Sequence, residues 1–421
     1  MTADAPAKVL SGKYSSRRVL LLTAAFAAFA YPFSIIYDGE GVSANYSFVL
    51  LPIIYGIARD RFRRPRKEYV LMMVVFTAIF AVATVYQIDF QVHFVRRVVS
   101  YVLFMTMFGY MFIQMDVEMV VAFKRALIGV SVWFSLYALY VYVRSGGAEL
   151  GAHAKDVVGT SRYGFIYVLA VWLVYQDIYD GRWRALRYPV LLVLLIGILL
   201  TFSRASVVAV LGSFGLFVTA AAVRWLRDPM RLSRWRLVLS IGLLAAVVFA
   251  AVRAMPGTVS FFGRNLFAFV LDDGAVSESL TNSDSSEGYR LYIFRQMLDF
   301  TIANPVTGSG FLGVWILSSD MSGSAHDQYF DVLFRTGPIG FCLYGVLLIR
   351  LLKFLYEQER ALFWGTVGVL IYGLVHETFK ESHGGFVLAF LFGMMAQGVS
   401  QHRSRRKIRR GAGPNSVSES A

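Results

Sequence analysis

Long apolar runs recur along the whole chain and alternate with polar segments. Most runs approach the roughly 20 residues that an α-helix needs to cross the hydrocarbon core of a bilayer. About twelve such runs occur, at residues 19–37, 42–58, 69–86, 98–114, 126–143, 163–179, 188–202, 205–223, 237–252, 329–352, 361–375 and 384–399. The pattern predicts an all-α fold, a polytopic membrane protein with about 12 transmembrane helices. Because several runs are short, one or two could be re-entrant rather than spanning.

The composition agrees with a membrane protein and excludes several kinds of site. Hydrophobic residues make up 57% of the chain and charged residues only 16%, and the mean hydropathy is +0.57. The single cysteine, Cys342, excludes a disulfide within the chain and a cysteine-based metal site, and its apolar surroundings predict a small core residue. The first apolar run resembles a signal peptide, but a second run follows almost at once, which favours an uncleaved first span.

The formal net charge of +14 has two interpretations, nucleic-acid binding or membrane topology. Cytoplasmic segments of membrane proteins carry an excess of Lys and Arg. If the N-terminus is cytoplasmic, about 29 of the 41 Lys and Arg residues fall on the cytoplasmic side, including those of the basic tails 1–18 and 400–421. The charge therefore indicates topology, with both termini cytoplasmic. It predicts the lipid bilayer as a partner and no nucleic acid.

The runs predict a single membrane domain, residues 1–421, with one long polar loop at residues 253–328 between spans 9 and 10. The predicted topology puts this loop on the outer side of the membrane. The turn at residues 203–204 and the small loop at residues 376–383 fall on the same side. The polar groups that topology does not explain are therefore expected to meet on the outer face.

Arg204 stands at the junction of two apolar runs, with almost no loop between them. It could be an arginine at a helix end whose side chain reaches back to the membrane surface. Alternatively, a cation held near the membrane marks an anionic ligand, because it must be paired or face water. Ser203 and Ser206 add hydroxyl donors, and a helix starting at Ala205 would direct backbone N–H groups at an anion.

Arg290 lies in the long loop, in a stretch whose apolar residues recur at helical spacing. This spacing predicts an amphipathic helix lying on the membrane. Arg290 could instead form a solvated ion pair with Glu287 or Asp284. Tyr289 beside it, and Arg264 earlier in the loop, are further candidates for substrate binding. The later Gly308-Ser309-Gly310 segment predicts a turn, and its glycines indicate phosphate binding only weakly.

His326 precedes an apolar run, with Asp327, Gln328 and Asp331 close enough in the sequence to orient it. A histidine in a loop is often an ordinary surface residue. Its position at a membrane boundary makes it a candidate general base for a sugar hydroxyl, since an unperturbed histidine titrates near pH 6.5.

His376, Glu377 and His383 could suggest a metal site in the small outer loop. Their spacing does not match the common helix-face metal motifs. A polar loop or contacts to an acceptor are favoured, and neither a metal nor another cofactor is expected.

Five segments, taken in order, resemble the bacterial O-antigen ligase/polymerase family of polytopic inner-membrane glycosyltransferases. They are Thr201-Phe202-Ser203-Arg204, Arg290 with its aromatic stretch, Asn304-Pro305 leading to Gly308-Ser309-Gly310, His326-Asp327-Gln328-Tyr329-Phe330-Asp331-Val332-Leu333, and Gly337-Pro338-Ile339-Gly340. The resemblance covers roughly residues 190–350. Asp327 departs from it, because the family more often has Asn at that position. A negative charge there would raise the pKa of His326.

This resemblance implies an enzyme that transfers a glycan from undecaprenyl diphosphate to an acceptor hydroxyl, on the periplasmic side and without a metal. Arg204 and Arg290 would bind the diphosphate, since a guanidinium pairs with phosphate oxygens bidentately and stays charged. His326 would accept the proton of the attacking hydroxyl. The side chains expected to contact substrate are Ser203, Ser206, Arg264, Tyr289 and Asp327.

Several functions stay open. A polymerase of lipid-linked repeats is slightly favoured over a ligase, whose acceptor would be lipid A-core or another hydroxyl, and a polysaccharide chain-length regulator is a further candidate partner. A transporter or flippase of lipid-linked sugars usually carries ionisable groups in mid-span, or broken helices near the midplane. Most spans here lack mid-span charge and the polar groups gather on one face, which favours an enzyme. A structural subunit is the remaining alternative. The expected location is the bacterial inner membrane, with the active site in the periplasm.

Overall fold

The computed structural model describes eight long segments and eleven short ones. The described residues are 22, 34–37, 40–43, 66–85, 109–111, 115–144, 164–180, 184–200, 203–227, 238, 240–246, 248–249, 286–306, 308–310, 313–317, 327–374, 376, 378 and 382–399. The helices with assigned bounds are α1 Lys67–Val85, α2 Val117–Arg144, α3 Gly164–Tyr179, α4 Arg184–Leu200, α5 Arg204–Arg227, α6 Ser286–Ala303, α7 Gln328–Gln358, α8 Arg360–Tyr372 and α9 Ser382–Gln397. Residues 240–246 are also helical.

Three described helices are long and apolar enough to cross a membrane: Val117–Arg144, Ala205–Arg227 and Gln328–Gln358. Four shorter apolar helices accompany them, at Gly164–Tyr179, Leu186–Leu200, Arg360–Tyr372 and Gly384–Gln397. The helical, membrane-type fold is therefore confirmed, while the number of about twelve spans stays a prediction. The predicted basic tails, 1–18 and 400–421, lie outside the described residues.

One β-hairpin interrupts the helical pattern. Strand β1, Ser34–Tyr37, pairs antiparallel with β2, Glu40–Ser43, and Tyr37 lies opposite Glu40. The two residues between the strands are Asp and Gly, which is a strong sequence signal for a tight hairpin turn. The all-α prediction thus has a local exception where the first two apolar runs meet. Apart from Leu22 and this hairpin, those two runs lie outside the described residues.

Helix α3 forms the centre of the bundle. Nearly all of its side chains are buried, and it packs against α2, α4, α5 and α8. A helix that is apolar on every face is stable only when it is surrounded in this way. Gly368 of α8 allows a close crossing, because a Cβ there would overlap Val168 of α3. Within this core, Trp172 Nε1 donates to Ser213 Oγ at 2.9 Å.

Outward-facing side chains of the bundle are also apolar. Along α7, one exposed stripe recurs at intervals of three and four residues and consists of Ile339, Cys342, Val346 and Ile349. Such a stripe is typical of a helix that faces lipid. The prediction that Cys342 is a core residue is therefore wrong. Lipid tails are as apolar as a protein core, so an apolar sequence does not indicate which of the two a residue contacts.

Polar contacts hold the helices together at one end of the bundle, here called the basic end. Lys124 Nζ of α2 pairs with Glu359 Oε2 at 2.6 Å, in the turn between α7 and α8. Arg224 of α5 donates to the Tyr356 hydroxyl of α7 at 2.5 Å. The start of α8 therefore lies beside the ends of α5 and α7. The opposite end of the bundle, here called the site end, holds the starts of α5 and α7 and the end of α8.

Helix α7 is sharply bent at Gly337, where φ is 62° and ψ is −178°. A straight helix of its 31 residues would be roughly 46 Å long. Yet Gln328 N donates to Gly373 O at 2.8 Å, and Glu359 directly precedes α8, which has only 13 residues. Both ends of α7 therefore meet the ends of a helix of roughly 20 Å. This requires the first segment, α7a (residues 328–336), to fold back against the second, α7b (residues 338–358).

A side-chain contact supports this fold-back. Gln328 in α7a interacts with Tyr344 in α7b. Residues that far apart in a straight helix would be separated by roughly 24 Å. The apolar run at residues 329–352 was predicted as one continuous span, and that prediction is wrong, because only α7b can cross. The physical cause is Pro338, which has no N–H and cannot continue a helix without a break.

Candidate functional site

The start of α5 carries the first group of candidate residues. Ser203 caps this helix, since the Ser206 N–H donates to Ser203 Oγ at 3.3 Å and to Ser203 O at 3.1 Å. A serine at this position satisfies backbone donors that would otherwise have no helical partner. Arg204 is therefore the first residue of α5, at the positive end of the helix dipole.

Ser206 connects α5 to α3 and α8. Its side chain is completely buried, and its Oγ has no hydrogen-bond partner among the described residues. A Cβ placed on Gly164 would overlap this Oγ and would lie 2.9 Å from the Tyr372 hydroxyl. The first residue of α3, the first turn of α5 and the last residue of α8 therefore meet at one point.

The end of α8 also contacts the start of α7a. Gln328 N donates to Gly373 O at 2.8 Å, and the Tyr329 hydroxyl donates to Leu370 O at 2.6 Å. On the other side of this junction, the His376 ring stacks on Tyr372, with 5.0 Å between ring centroids. Through α8, the beginnings of α5 and α7 are thus neighbours at the site end.

Asp327 forms the N-terminal cap of α7. Its Oδ1 accepts a hydrogen bond from Phe330 N at 2.7 Å, and its backbone is extended. Burial raises the pKa of the Asp327 carboxyl, the hydrogen bonds from the N–H groups of Phe330 and Tyr329 oppose that rise, and the charge of Asp331 adds to it. A carboxylate at a helix start also interacts favourably with the helix dipole. Asp327 thus has a structural task beside any contact with substrate.

Helix α6 packs against α7a, and the two helices run parallel to each other. The rings of Phe294 and Phe330 contact each other at a tilt, with 4.2 Å between their centroids, and the Phe300 and Phe334 rings meet edge to face at 5.2 Å. Arg290 precedes Phe294 by four residues, about one helical turn. By the same spacing, position 326 precedes Phe330. Because the two helices pair in this register, the backbone at position 290 lies at the same height along the helix axes as the start of α7.

The Gly308-Ser309-Gly310 segment completes the bend in α7. Ser309 N donates to Phe334 O at 2.8 Å and Gly310 N donates to Arg335 O at 3.0 Å. These two carbonyl groups lose their usual helical donors at the break that Gly337 and Pro338 cause. The turn predicted here is confirmed, and two of its N–H groups bind protein carbonyl groups rather than a phosphate.

A buried ion pair supports the same bend. Arg335 Nε donates to Asp331 Oδ1 and Oδ2 at 2.9 Å and 2.8 Å, and its Nη1 donates to Gly310 O at 3.4 Å. Both side chains are almost fully buried. Because charges without partners are costly in such a place, this pair favours one arrangement of α7a against the turn.

The structure describes the predicted site residues to different extents. Side chains are described for Ser203, Ser206 and Asp327; Arg204, Tyr289 and Arg290 are described only as helical positions; Arg264 and His326 lie outside the described residues. Ser203 and Asp327 act as helix caps and Ser206 is buried at a helix crossing. Among the described residues, no three His, Cys, Asp or Glu side chains lie close enough to hold a metal ion.

Sequence reasoning missed several residues at this junction. Gly164 and Tyr372 sit within predicted spans, and nothing in their local pattern distinguishes them from other core positions. The bend could have been found, because Gly337-Pro338 inside an apolar run is a strong signal for a helix break.

Comparisons with known proteins match the motif-bearing part of the chain. A family model described as O-antigen ligase matches residues 189–345. The matched range runs from the first turns of α4 into α7b and includes every segment that carries the resemblance. The resemblance to the O-antigen ligase/polymerase family is therefore confirmed over this range. No curated protein matches the chain.

Proposed function

With residues 189–345 assigned to the O-antigen ligase family, we propose that this protein is a membrane glycosyltransferase. It transfers a glycan from a lipid diphosphate to an acceptor hydroxyl and thereby polymerises lipid-linked repeats into a surface polysaccharide. The observation that carries the proposal is the meeting of the starts of α5 and α7a at the end of α8. Arg204 begins α5, and His326 directly precedes the cap of α7a.

Helix ends favour an anionic donor at this place. The starts of α3 and α5 and the start of α7a lie close together, and each helix start carries a partial positive charge. The end of α8, at the same junction, carries a partial negative charge that offsets one of the three. Arg204 and Arg290 would add two full charges. A diphosphate offers several oxygens to such a group, and guanidinium groups pair with them bidentately.

The proposed reaction is a single displacement. His326 accepts the proton of the acceptor hydroxyl while that oxygen attacks the anomeric carbon of the donor glycan. The bond between this carbon and the phosphate oxygen breaks, and the lipid diphosphate leaves with the electron pair. Arg204 and Arg290 stabilise the charge that develops on the leaving group. The anomeric configuration is inverted, and no metal or other cofactor takes part.

Ser203, Ser206, Arg264, Tyr289 and Asp327 are proposed to contribute to substrate binding. Ser203, Ser206 and Asp327 would act by holding the starts of α5 and α7 in position, as their hydrogen bonds and packing suggest. The apolar surface of the bundle would accommodate the polyprenyl tail of the donor.

The proposed location is the bacterial inner membrane, with both termini in the cytoplasm and the site end in the periplasm. The Lys and Arg distribution supports this orientation. Donor and acceptor would reach the site from the outer leaflet and the periplasm. A polysaccharide chain-length regulator is proposed as a partner, on the ground of the proposed reaction alone.

Substitution of the three proposed catalytic residues tests this function. Arg204→Ala, Arg290→Ala or His326→Ala should reduce glycan transfer to background with purified protein, lipid-linked donor and acceptor in detergent. Matched controls are Arg224→Ala, at the other end of α5, and Arg295→Ala, an exposed position of α6. Both should retain most of the activity. Full activity in the triple variant would overturn the proposal.

Choice of acceptor separates the polymerase from the ligase. Long glycan chains that remain on the lipid diphosphate indicate a polymerase, whereas transfer to lipid A-core indicates a ligase. Product formed in the presence of EDTA supports the metal-independent reaction. Movement of the lipid-linked glycan from one leaflet of a vesicle membrane to the other, without any transfer product, would instead support a transporter or flippase.

A further inference from the structure

We propose that the outer side of the bend between α6 and α7 is a lipid-binding surface that inserts among the acyl chains of the adjoining membrane leaflet. This surface, the bend patch, consists of Leu298, Ile302, Val306 and Ile339. It attaches the α6–α7a unit to the membrane at the site end. The proposal concerns membrane contact and holds whatever reaction the site performs.

Exposure and spacing define the bend patch. Leu298, Ile302 and Val306 recur every four residues and are 38%, 68% and 62% exposed. The first two share one face of α6, and Val306 follows just after its end. The carbonyl oxygen of Val306 would lie 2.6 Å from a Cβ at Gly337, so the end of α6 meets the bend in α7. Ile339, two residues past the bend, is 61% exposed.

The bend patch continues an apolar surface that already faces outward. Ile339 begins the exposed stripe of α7b, which goes on through Cys342, Val346 and Ile349. Because α7b belongs to a helix long and apolar enough to span a membrane, its exposed stripe is expected to contact lipid. The patch extends that contact from α7b onto α6. Continuity with this stripe identifies acyl chains as the occupant.

Charge along α6 indicates where the membrane contact ends. The exposed charged residues of this helix with described side chains are Arg295 and Asp299. Asp299 directly follows Leu298, while Ile302 and Val306 lie beyond both charges. A helix with its apolar surface at one end and charges toward the other is suited to enter the bilayer only at the apolar end. Ile302, Val306 and Ile339 would thus be in lipid, Leu298 would lie at the membrane edge beside Asp299, and Arg295 would stay in water.

Spin-label accessibility in lipid nanodiscs tests this insertion. A nitroxide label is attached to Cys at position 302 by the substitution I302C, or at position 295 by R295C, both in a Cys342→Ser background. Labelled Cys342 of the unsubstituted protein is the lipid reference. Collision rates with O₂, which concentrates in lipid, and with a water-soluble nickel chelate are measured for each label.

The expected ratio of O₂ to chelate accessibility is several-fold higher for I302C than for R295C and similar to that at Cys342. A ratio at I302C equal to that at R295C would overturn the proposal, because the patch would then face water. Protection of the I302C label from both reagents would also overturn it, since a protein partner would then cover the patch. Neither measurement depends on glycan transfer, so failure of this inference and failure of the proposed function are distinguishable.

Discussion

Gly164 allows three helices to meet at the site end because it has no side chain. The Ser206 Oγ occupies the space that a Cβ would need, and the Tyr372 hydroxyl lies 2.9 Å from the same point. Close approach through small residues is a general feature of helix packing in membranes. Here it brings the helix that begins with Arg204 against the helix that contacts α7a.

The substitution Gly164→Ala should therefore be destabilising. The added methyl group displaces Ser206 or Tyr372, and overpacking of this kind costs about 1–3 kcal/mol. We expect a lower melting temperature in detergent and reduced transfer activity. Gly129→Ala is the control, because a Cβ there meets nothing within 4 Å. Equal melting temperatures for the two variants would show that the contact at Gly164 is unimportant.

Asp327 predicts a pH dependence of stability. Burial raises its pKa in the folded protein, so the folded state binds the proton more tightly than the unfolded chain. The resulting stabilisation is complete below the ordinary aspartate pKa and is lost as the pH rises through the raised value.

Asp327→Asn isolates this effect, because asparagine caps a helix about as well and does not titrate in this range. The melting temperature of the unsubstituted protein minus that of the variant should fall as the pH rises from about 3 toward neutrality. It should become constant above the raised pKa. A difference that grows with pH would contradict the burial of this carboxyl.

At the scale of elements, the bend in α7 determines where α6 and the chain entering α7 lie. Pro338 removes one helical hydrogen bond and Gly337 adopts a backbone conformation that other residues rarely accept. The N–H groups of Ser309 and Gly310 replace the donors lost at the break. The Gly-Ser-Gly turn thus forms one structural unit with the Gly-Pro pair. Gly310 and Gly337 are 27 residues apart in the sequence.

Gly337→Ala should disrupt this unit. A Cβ at that position would lie 2.6 Å from Val306 O, and the backbone strain adds to the clash. Together these cost roughly 2–5 kcal/mol. We expect a clearly lower melting temperature and loss of transfer activity, measured on the same detergent-purified samples.

Gly345→Ala, in α7b, is the matched control. A Cβ there meets nothing within 4 Å. Since alanine is a better helix former than glycine by about 1 kcal/mol, this variant should be as stable as the unsubstituted protein or slightly more so. If Gly337→Ala behaved like Gly345→Ala, the bend would not control the position of α6.

At the scale of the whole molecule, polar contacts divide the bundle into two ends. Lys124, Glu359 and Arg224 contribute to the basic end. Ser203, Tyr372 and Asp327 lie at the site end. Because α8 runs between the two ends, its own termini should face opposite sides of the membrane.

Cysteine labelling across α8 tests this topology. In a Cys342→Ser background, L374C at the site end should react with a membrane-impermeant maleimide added to intact spheroplasts. R360C at the basic end should react only after permeabilisation. Both native side chains are exposed. Labelling of both positions from the same side would contradict the proposed orientation.

Local signals in the sequence were sufficient for the helices and for the order of the candidate residues. Hydropathy depends only on neighbouring residues, so it predicted the helices now seen as α1 to α5, α8 and α9. The match over residues 189–345 likewise depends on motifs that are each local. Asp38-Gly39 and Gly337-Pro338 were also readable as a hairpin turn and a helix break, because both act through backbone geometry.

Only the tertiary structure decided which faces meet. An apolar residue can contact either lipid or protein in a membrane, so hydropathy could not show that Cys342 is exposed and Gly164 is at a crossing. The direction in which α7a folds depends on contacts such as the hydrogen bond from Gln328 N to Gly373 O, 45 residues further along the chain. Such contacts result from packing of the whole bundle, and no local pattern encodes them.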